Sequence, residues 1–501
     1  MDTRKATLDK DLDKISYVEE AAGSLARGYA APGLALLFII VVVVVAAAFF
    51  AGATGAWLIV AAAAIGGYMA LNIGANDVAN NVGPAVGSNA MTMGTALVIA
   101  AIFESAGALI AGGDVVGTIS KGIIDVNAVS DKNIFLSAML AALVSSALWV
   151  NLATWIGAPV STTHSIVGGV VGAGVAAAGF SAVNWPTMGG IAASWIISPV
   201  LGGIIAALFL FFIKEMIIYR DDKIAAAKQW VPVLIAIMAG AFTSYLALKG
   251  IKKLVSIDLT TALLLGLGTG VLTWLATRPL IAKQAEGLEN RNQSVRRLFS
   301  IPLVCSAALL SFAHGANDVA NAVGPLAAIV HTVELGDVAA KVSIPLWVMV
   351  VGAFGISIGL LLFGPKLIRM VGEQITRLNP MRAYCVALSA AITVIIASWL
   401  GLPVSSTHIA VGAVFGVGFF REWYTEKSKK RQNWVKANAR YNTSGRNEAG
   451  DDQEVVRQEV ARRKLVRRAH FMTIVSAWII TVPAAALLSA LMYLILSAVL
   501  V

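Results

Sequence analysis

Gly74 to Asn80 reads GANDVAN, and the same seven residues return at Gly315 to Asn321. After a short spacer each copy runs into Gly-Pro, at Gly83-Pro84 and Gly324-Pro325. Farther out, Pro159 to His164 reads PVSTTH and Pro403 to His408 reads PVSSTH. The motif starts lie 85 residues apart in the first half (159 − 74) and 88 in the second (403 − 315). The chain therefore duplicates a unit that holds two motifs in a fixed order. Around them the composition is that of a membrane protein. The 501 residues are 58% hydrophobic and only 13% charged, where soluble chains carry about 25% charged residues. Apolar blocks such as Leu34 to Phe50 are unbroken, without the period-two alternation of a transmembrane barrel. At about 20 residues per crossing, the expected fold is an all-α polytopic membrane protein with roughly ten to thirteen crossings. Seven crossings are expected between equivalent points of the two copies, if the short apolar segment 165–180 counts as one. An odd number inverts the second repeat in the membrane, and inverted repeats place a substrate site at the midplane between interrupted helices.

The expected organisation is a cytoplasmic tail at 1–31, an anchor helix at 32–54 and a first repeat at 55–213. Connecting helices and basic loops follow at 214–300, then a second repeat at 301–420, a basic cytoplasmic loop at 421–470 and a last transmembrane helix at 471–501. The formal charge of +10 does not point to nucleic acid, because the basic residues cluster between apolar blocks as the positive-inside rule requires. Residues 421–470 alone carry fourteen Lys or Arg against seven Asp or Glu, a segment suited to touching anionic lipid. Cys305 and Cys385 both lie in apolar blocks at no ligand spacing, which argues against redox chemistry and structural zinc.

Asp77 and Asp318 stand in apolar stretches where a bilayer-centre carboxylate costs at least ~2.5 kcal/mol, so each needs a partner. Neither motif contains Lys or Arg. The neighbouring Asn76, Asn80, Asn81, Asn317 and Asn321 supply amide oxygens, which with the carboxylates and backbone carbonyls suit a small hard cation. The adjacent glycines and prolines are expected to interrupt the helix and free such carbonyls. The bland alternative is a hydrogen-bonded belt that only locks helices together. The second motif has the character of an anion seat. Its proline pre-sets a helix start, and Ser161, Thr162, Thr163, Ser405, Ser406 and Thr407 can donate to anion oxygens beside unpaired N–H groups. An ordinary capped helix start is the alternative here. His164 and His408 lack a second His or Cys at ligand spacing and are read as structural or gating residues, and Glu104 as a further intramembrane acid lining the pathway. No nucleophile elbow or orienting carboxylate accompanies Ser161 and His164, so an intramembrane hydrolase is not expected.

On GANDVANNVGPAVGS at 74–88, KGIID at 121–125, PVSTTHSIVGG at 159–169, GANDVANAVGP at 315–325 and PVSSTH at 403–408, the chain resembles the PiT family of inorganic phosphate transporters. The resemblance extends from about residue 55 to 420. It implies about twelve transmembrane helices with re-entrant helical hairpins, inverted repeats, commonly a homodimer, and phosphate bound between the halves. Family roles carry over to Asp77 and Asp318, to the asparagines beside them and to the hydroxyls of the Pro-Val-Ser motifs. Asn76 before Asp77 looks like the sodium-coupled members, while His314 before the second GANDVAN leaves the proton-coupled reading open. The expectation is a symporter of the cell membrane, not an enzyme, that imports inorganic phosphate by alternating access. Sodium would be its coupling ion and it would need no other cofactor. The alternatives are a proton-coupled phosphate or sulfate permease and, from other classes, an ion channel or a non-transporting scaffold.

Overall fold

The computed structural model describes residues 29–125, 128–129, 131–156, 160–250, 257–335, 344–374, 378–429, 432 and 468–500. The expected N-terminal tail therefore falls almost wholly outside the described residues, as do Pro159 and most of 421–470. The described chain is all-helical, and its one β feature is an isolated bridge between Ile124 and Val183. In order, the helices are α1 (Tyr29–Phe49), α2 (Ala56–Gly87), α3 (Met93–Ala111), α4 (Gly113–Lys121) and α5 (Lys132–Ile156). Next come α6 (Thr162–Ala178), α7 (Trp185–Ile213), α8 (Lys223–Lys249), α9 (Leu259–Gln284) and α10 (Asn292–Leu298). The last five are α11 (Ser300–Leu335), α12 (Leu346–Gln374), α13 (Pro380–Trp399), α14 (Ser406–Lys427) and α15 (Arg468–Leu500). Among the described residues, eleven helices are long and apolar enough to cross a membrane, with α6 a shorter apolar helix. The fold is thus the polytopic helical membrane architecture that the composition requires.

Burial sorts the helices into a centre and a lipid-facing rim. The most apolar stretch of α11 is 89% buried and that of α9 only 11% buried. In α9, Leu263, Leu264, Leu267 and Leu272 stand exposed, as suits a helix whose surroundings are hydrocarbon rather than water. Asp258 caps the start of α9 through the Thr260 amide. The Thr261 hydroxyl beside it holds its carboxyl below the usual range.

The two motif helices are central and packed crosswise. α2 lies along α12, the helix that follows α11, and α11 lies along α3, the helix that follows α2. Motif glycines make the crossing possible. A Cβ on Gly74 would sit 1.9 Å from the Ile356 carbonyl oxygen, and one on Gly315 would sit 2.1 Å from that of Glu104. The facing helices reciprocate: a Cβ on Gly359 would meet the Leu71 oxygen at 2.1 Å, and one on Gly107 that of Phe312 at 2.0 Å. Without a hydrophobic force between helices in lipid, such small-residue contacts are what hold backbones together. The exchange of partners between the halves is compatible with an inverted repeat.

The helix interruptions fall elsewhere than at the GANDVAN motifs. α2 and α11 run unbroken through their copies. A lone Gly is tolerated within a packed helix, and each proline removes one N–H without ending the helix. Pro84 leaves the Asn80 carbonyl without its i+4 donor, and Pro325 does the same for Asn321, so a single carbonyl is freed where a full break was expected. The breaks come instead at the second motif, between α5 and α6 and between α13 and α14. Ser161 and Ser405 stand there as N-caps, each hydroxyl accepting from the histidine amide three residues on, at 3.1 and 3.2 Å. α14 continues to Lys427, past the expected loop boundary at 420.

Candidate functional site

The site forms where the middles of α2 and α11 meet the N-termini of α6 and α14. Asp77 and Asp318 are each only 1% exposed, so their charge has to be answered inside the protein. Hydroxyls from both hairpins answer it. Thr162 donates to Asp77 Oδ2 at 3.0 Å and Thr407 to Asp77 Oδ1 at 2.9 Å, while Ser406 donates to Asp318 Oδ2 at 3.2 Å. Among the described residues no Lys or Arg forms an ion pair with either carboxylate.

The asparagines tie the halves to each other. Asn80 donates to Thr407 Oγ1 at 2.8 Å, and Asn321 donates to Thr163 Oγ1 at 3.1 Å and Thr162 Oγ1 at 3.2 Å. Each motif Asp thus takes a hydroxyl from its own half, and each last motif Asn reaches the hairpin of the other half. Asn76 and Asn317 face outward to the preceding helices: Asn76 donates to Thr154 at 3.0 Å, and Asn317 to Ser398 at 3.0 Å and to the Leu402 carbonyl at 3.1 Å.

Several buried oxygens remain for a cation. Asn76 Oδ1, Asn81 Oδ1, Asn321 Oδ1 and Asp318 Oδ1 are buried and accept no hydrogen bond. Such hard oxygens suit a small hard cation. Asn317 differs, since its Oδ1 already accepts from the Val404 amide at 3.2 Å.

His314 is the residue whose role the motifs did not reveal. Its Nε2 lies 3.0 Å from Asp318 Oδ2 and 3.7 Å from Asp77 Oδ2, and its Nδ1 lies 3.2 Å from Glu104 Oε2. One donor atom from each of Asp77, His314 and Asp318 lies within 4.8 Å of the others. Glu104, read from sequence as a pathway acid, also accepts from Asn81 at 2.8 Å and so joins the cluster. The partners Thr154 and Ser398 escaped the sequence reading too, although a signal was there. Each stands five residues before the motif proline (159 − 154 and 403 − 398).

Not every expected residue is engaged in the same way. Ser161 and Ser405 accept as helix caps, and Thr163 donates to the Val404 carbonyl at 3.0 Å. The His164 and His408 rings pack against each other at a tilt, centroids 4.4 Å apart, and Trp195 meets His164 edge to face at 3.8 Å. Trp195 Nε1 donates to the Pro403 carbonyl at 3.1 Å, binding α7 to the second motif.

Chemically, the arrangement offers two carboxylates for cations. It also offers two helix N-termini with donor hydroxyls for a tetrahedral anion.

Comparison with known proteins places the chain in a family. A family model described as the phosphate transporter family matches residues 73–489. A Helicobacter pylori (strain J99) protein bearing the name of a phosphate permease is 46% identical over 524 residues, covering 96% of this chain and 98% of its own. A Pyrococcus abyssi protein of similar name is 41% identical over 366 residues, covering 73% and 89%. Among solved structures, one described as "The sodium-dependent phosphate transporter" superposes with a TM-score of 0.75 at 34% identity, covering 88% of this chain and all of that one.

Proposed function

The chain belongs to the phosphate transporter family, and from that premise we propose that it imports inorganic phosphate together with sodium by alternating access around the Asp77–Asp318 cluster. It is a multi-pass integral membrane phosphate transporter and not an enzyme. Sodium coupling is supported by one observation above the others: the hydroxyls suited to phosphate are the same ones that now donate to the carboxylates. Thr162 and Thr407 give their protons to Asp77, and Ser406 gives its proton to Asp318. A hydroxyl has one proton to donate. Cations held by the carboxylates and the neighbouring amide oxygens release those protons toward a phosphate oxygen.

Charge argues in the same direction. Two ionised aspartates and a phosphate would crowd three or four negative charges into one cavity. Unit charges ~4 Å apart repel by about 4 kcal/mol at an effective dielectric of 20. Sodium binding removes most of that repulsion, so each ligand tightens the other by the same factor.

The test is uptake of radiolabelled phosphate into proteoliposomes at fixed pH under imposed sodium, potassium or choline gradients. Uptake driven by sodium alone is the expected result. A second reading, proton coupling, rests on His314, which contacts both carboxylates and Glu104. Uptake indifferent to the cation at constant pH but driven by an inward proton gradient would decide for it.

A further inference from the structure

The turn between α13 and α14 is held from five directions. α13 ends at Trp399 in a glycine turn: Gly401, at φ 69°, and Leu402 return their amides to the carbonyls of Ser398 and Ala397 at 3.1 and 2.9 Å. Five further carbonyls accept from side chains, each on a different helix. Asn317 of α11 donates to Leu402, Trp195 of α7 to Pro403 and Thr163 of α6 to Val404. Thr118 of α4 donates to Gly401 at 2.7 Å, and Lys249 of α8 donates to Trp399 at 3.3 Å. Lys249 also pairs with Asp114, and so ties α4 to the same turn a second time.

These donors fall into two layers. Asn317, Trp195 and Thr163 come from helices that build the site, and Asn317 and Thr163 are buried. Lys249 and Asp114 reach the surface, their side chains 19% and 49% exposed. α8 begins in the basic cluster at 214–228, which the positive-inside rule places in the cytoplasm. Lys249 lies 26 residues beyond Lys223 on α8 (249 − 223), about 39 Å at 1.5 Å per residue, and so stands at the external face. α4 lies there too, and it belongs to one half only. Gly107 and Gly359 mark equal places at the two crossings, so Gly112-Gly113 matches Gly364-Pro365. α3 ends at its glycine pair and the chain restarts as α4, whereas α12 continues to Gln374. Glycine pairs are a usual place for a sharp bend, and Gly122 caps the other end of α4.

We propose that α4, latched by Thr118 and Lys249 to the turn at 399–404, is the external gate of the transporter and swings on Gly112-Gly113. The inference rests on the alternating-access reading and names the contacts that break when the site opens outward. The inner donors keep the turn in register with Asp318, because they bond to backbone from helices of the site itself. The outer latch is the part that lets go. A partly exposed ion pair holds weakly, since water competes for both charges. Water entering an opened gate also satisfies the carbonyls of Trp399 and Gly401 once Lys249 and Thr118 withdraw.

The experiment is external thiol labelling of the full chain in intact cells. Ser398→Cys puts a reporter just before Trp399, at a position 1% exposed. A membrane-impermeant methanethiosulfonate added outside, read peptide by peptide in a mass spectrometer, then reports how often the gate opens. Adding Lys249→Met or Thr118→Val should speed labelling at position 398 about tenfold, the population shift of a weakened latch, and leave buried Cys385 on the same helix unlabelled. Unchanged labelling at 398 in both, or labelling that rises equally at Cys385, would overturn the gate. A second measurement needs no weakened latch. Asp114→Cys with Lys249→Cys, bridged by a short bifunctional methanethiosulfonate in proteoliposomes, should stop phosphate uptake, and dithiothreitol should restore it. Uptake that continues through the bridge would overturn the proposal. Labelling reads the gate whatever ion drives transport, so a failure of sodium dependence counts against the proposed function and not against the gate.

Discussion

The two halves of the site are built from the same motifs but differ at three matched places. In the second half, the residue before the GANDVAN copy is His314, and in the first it is Ile73. The residue whose carbonyl faces the motif glycine is Glu104 against Gly315 but Ile356 against Gly74. Asn81, which donates to Glu104, has Ala322 as its counterpart. One side of the core thus carries the chain Asn81–Glu104–His314–Asp318, whereas the positions matching Asn81, Glu104 and His314 on the other side are Ala322, Ile356 and Ile73. The lesson is that the repeat supplies two carboxylates at matched positions and that the residues around them make their surroundings unequal. Asp77 is held by hydroxyls from both hairpins, while Asp318 shares its oxygen between Ser406 and an imidazole.

The most direct way to break that comparison is to neutralise each carboxylate in turn. Asp77→Asn and Asp318→Asn should both cut sodium-driven phosphate uptake in proteoliposomes by about a hundredfold, the effect of ~3 kcal/mol lost from a charged hydrogen-bond network. Uptake that survives either change at the normal rate would remove that residue from the site.

A second test makes the halves alike. Glu104→Ile deprives Asn81 of its acceptor and His314 of the carboxylate beside it, and an unsatisfied buried group costs ~1–3 kcal/mol. Thermal unfolding should show a clear loss for the single variant. The triple variant Asn81→Ala, Glu104→Ile and His314→Ile, which copies the other half, should recover most of it, because replacing a whole buried polar group set by apolar residues is often near neutral. A triple variant as unstable as the single one would mean that the polar chain holds the fold and does not merely distinguish the halves.

The crossing glycines sharpen the symmetric part. Gly74→Ala and Gly315→Ala should each destabilise by ~1–3 kcal/mol, since the added methyl meets backbone that cannot step aside. Similar shifts in melting temperature are expected, and a large inequality would show that the two crossings are not equivalent.

The smallest effect separates the matched hydroxyls. Thr407→Val loses a bond to the Asp77 carboxylate, worth ~1.5–3 kcal/mol, whereas Thr163→Val loses one to the Val404 carbonyl, worth ~0.5–1.5 kcal/mol. The apparent phosphate affinity should fall more for the first than for the second.

Much of this site was legible because it repeats. Asp77, Asp318, the asparagines and the Pro-Val-Ser hydroxyls stand out as polar residues returning in register within an apolar chain, and the structure brings most of them into one network. The helix interruption was misplaced for a local reason. Glycine and proline signal a break, but burial on every side keeps α2 and α11 helical through theirs.

By itself, the sequence determined the membrane setting, the duplication and the pairing of an acidic motif with a hydroxyl motif, since each follows from composition or from a repeated string. Tertiary structure alone decided which residues answer the buried charges. Glu104 and His314 lie far apart in the chain and meet only because Gly315 lets α3 and α11 cross backbone against backbone. No periodicity records such a contact. It depends on the register between two helices, which is set by a missing side chain at the crossing and not by the residues that the crossing joins.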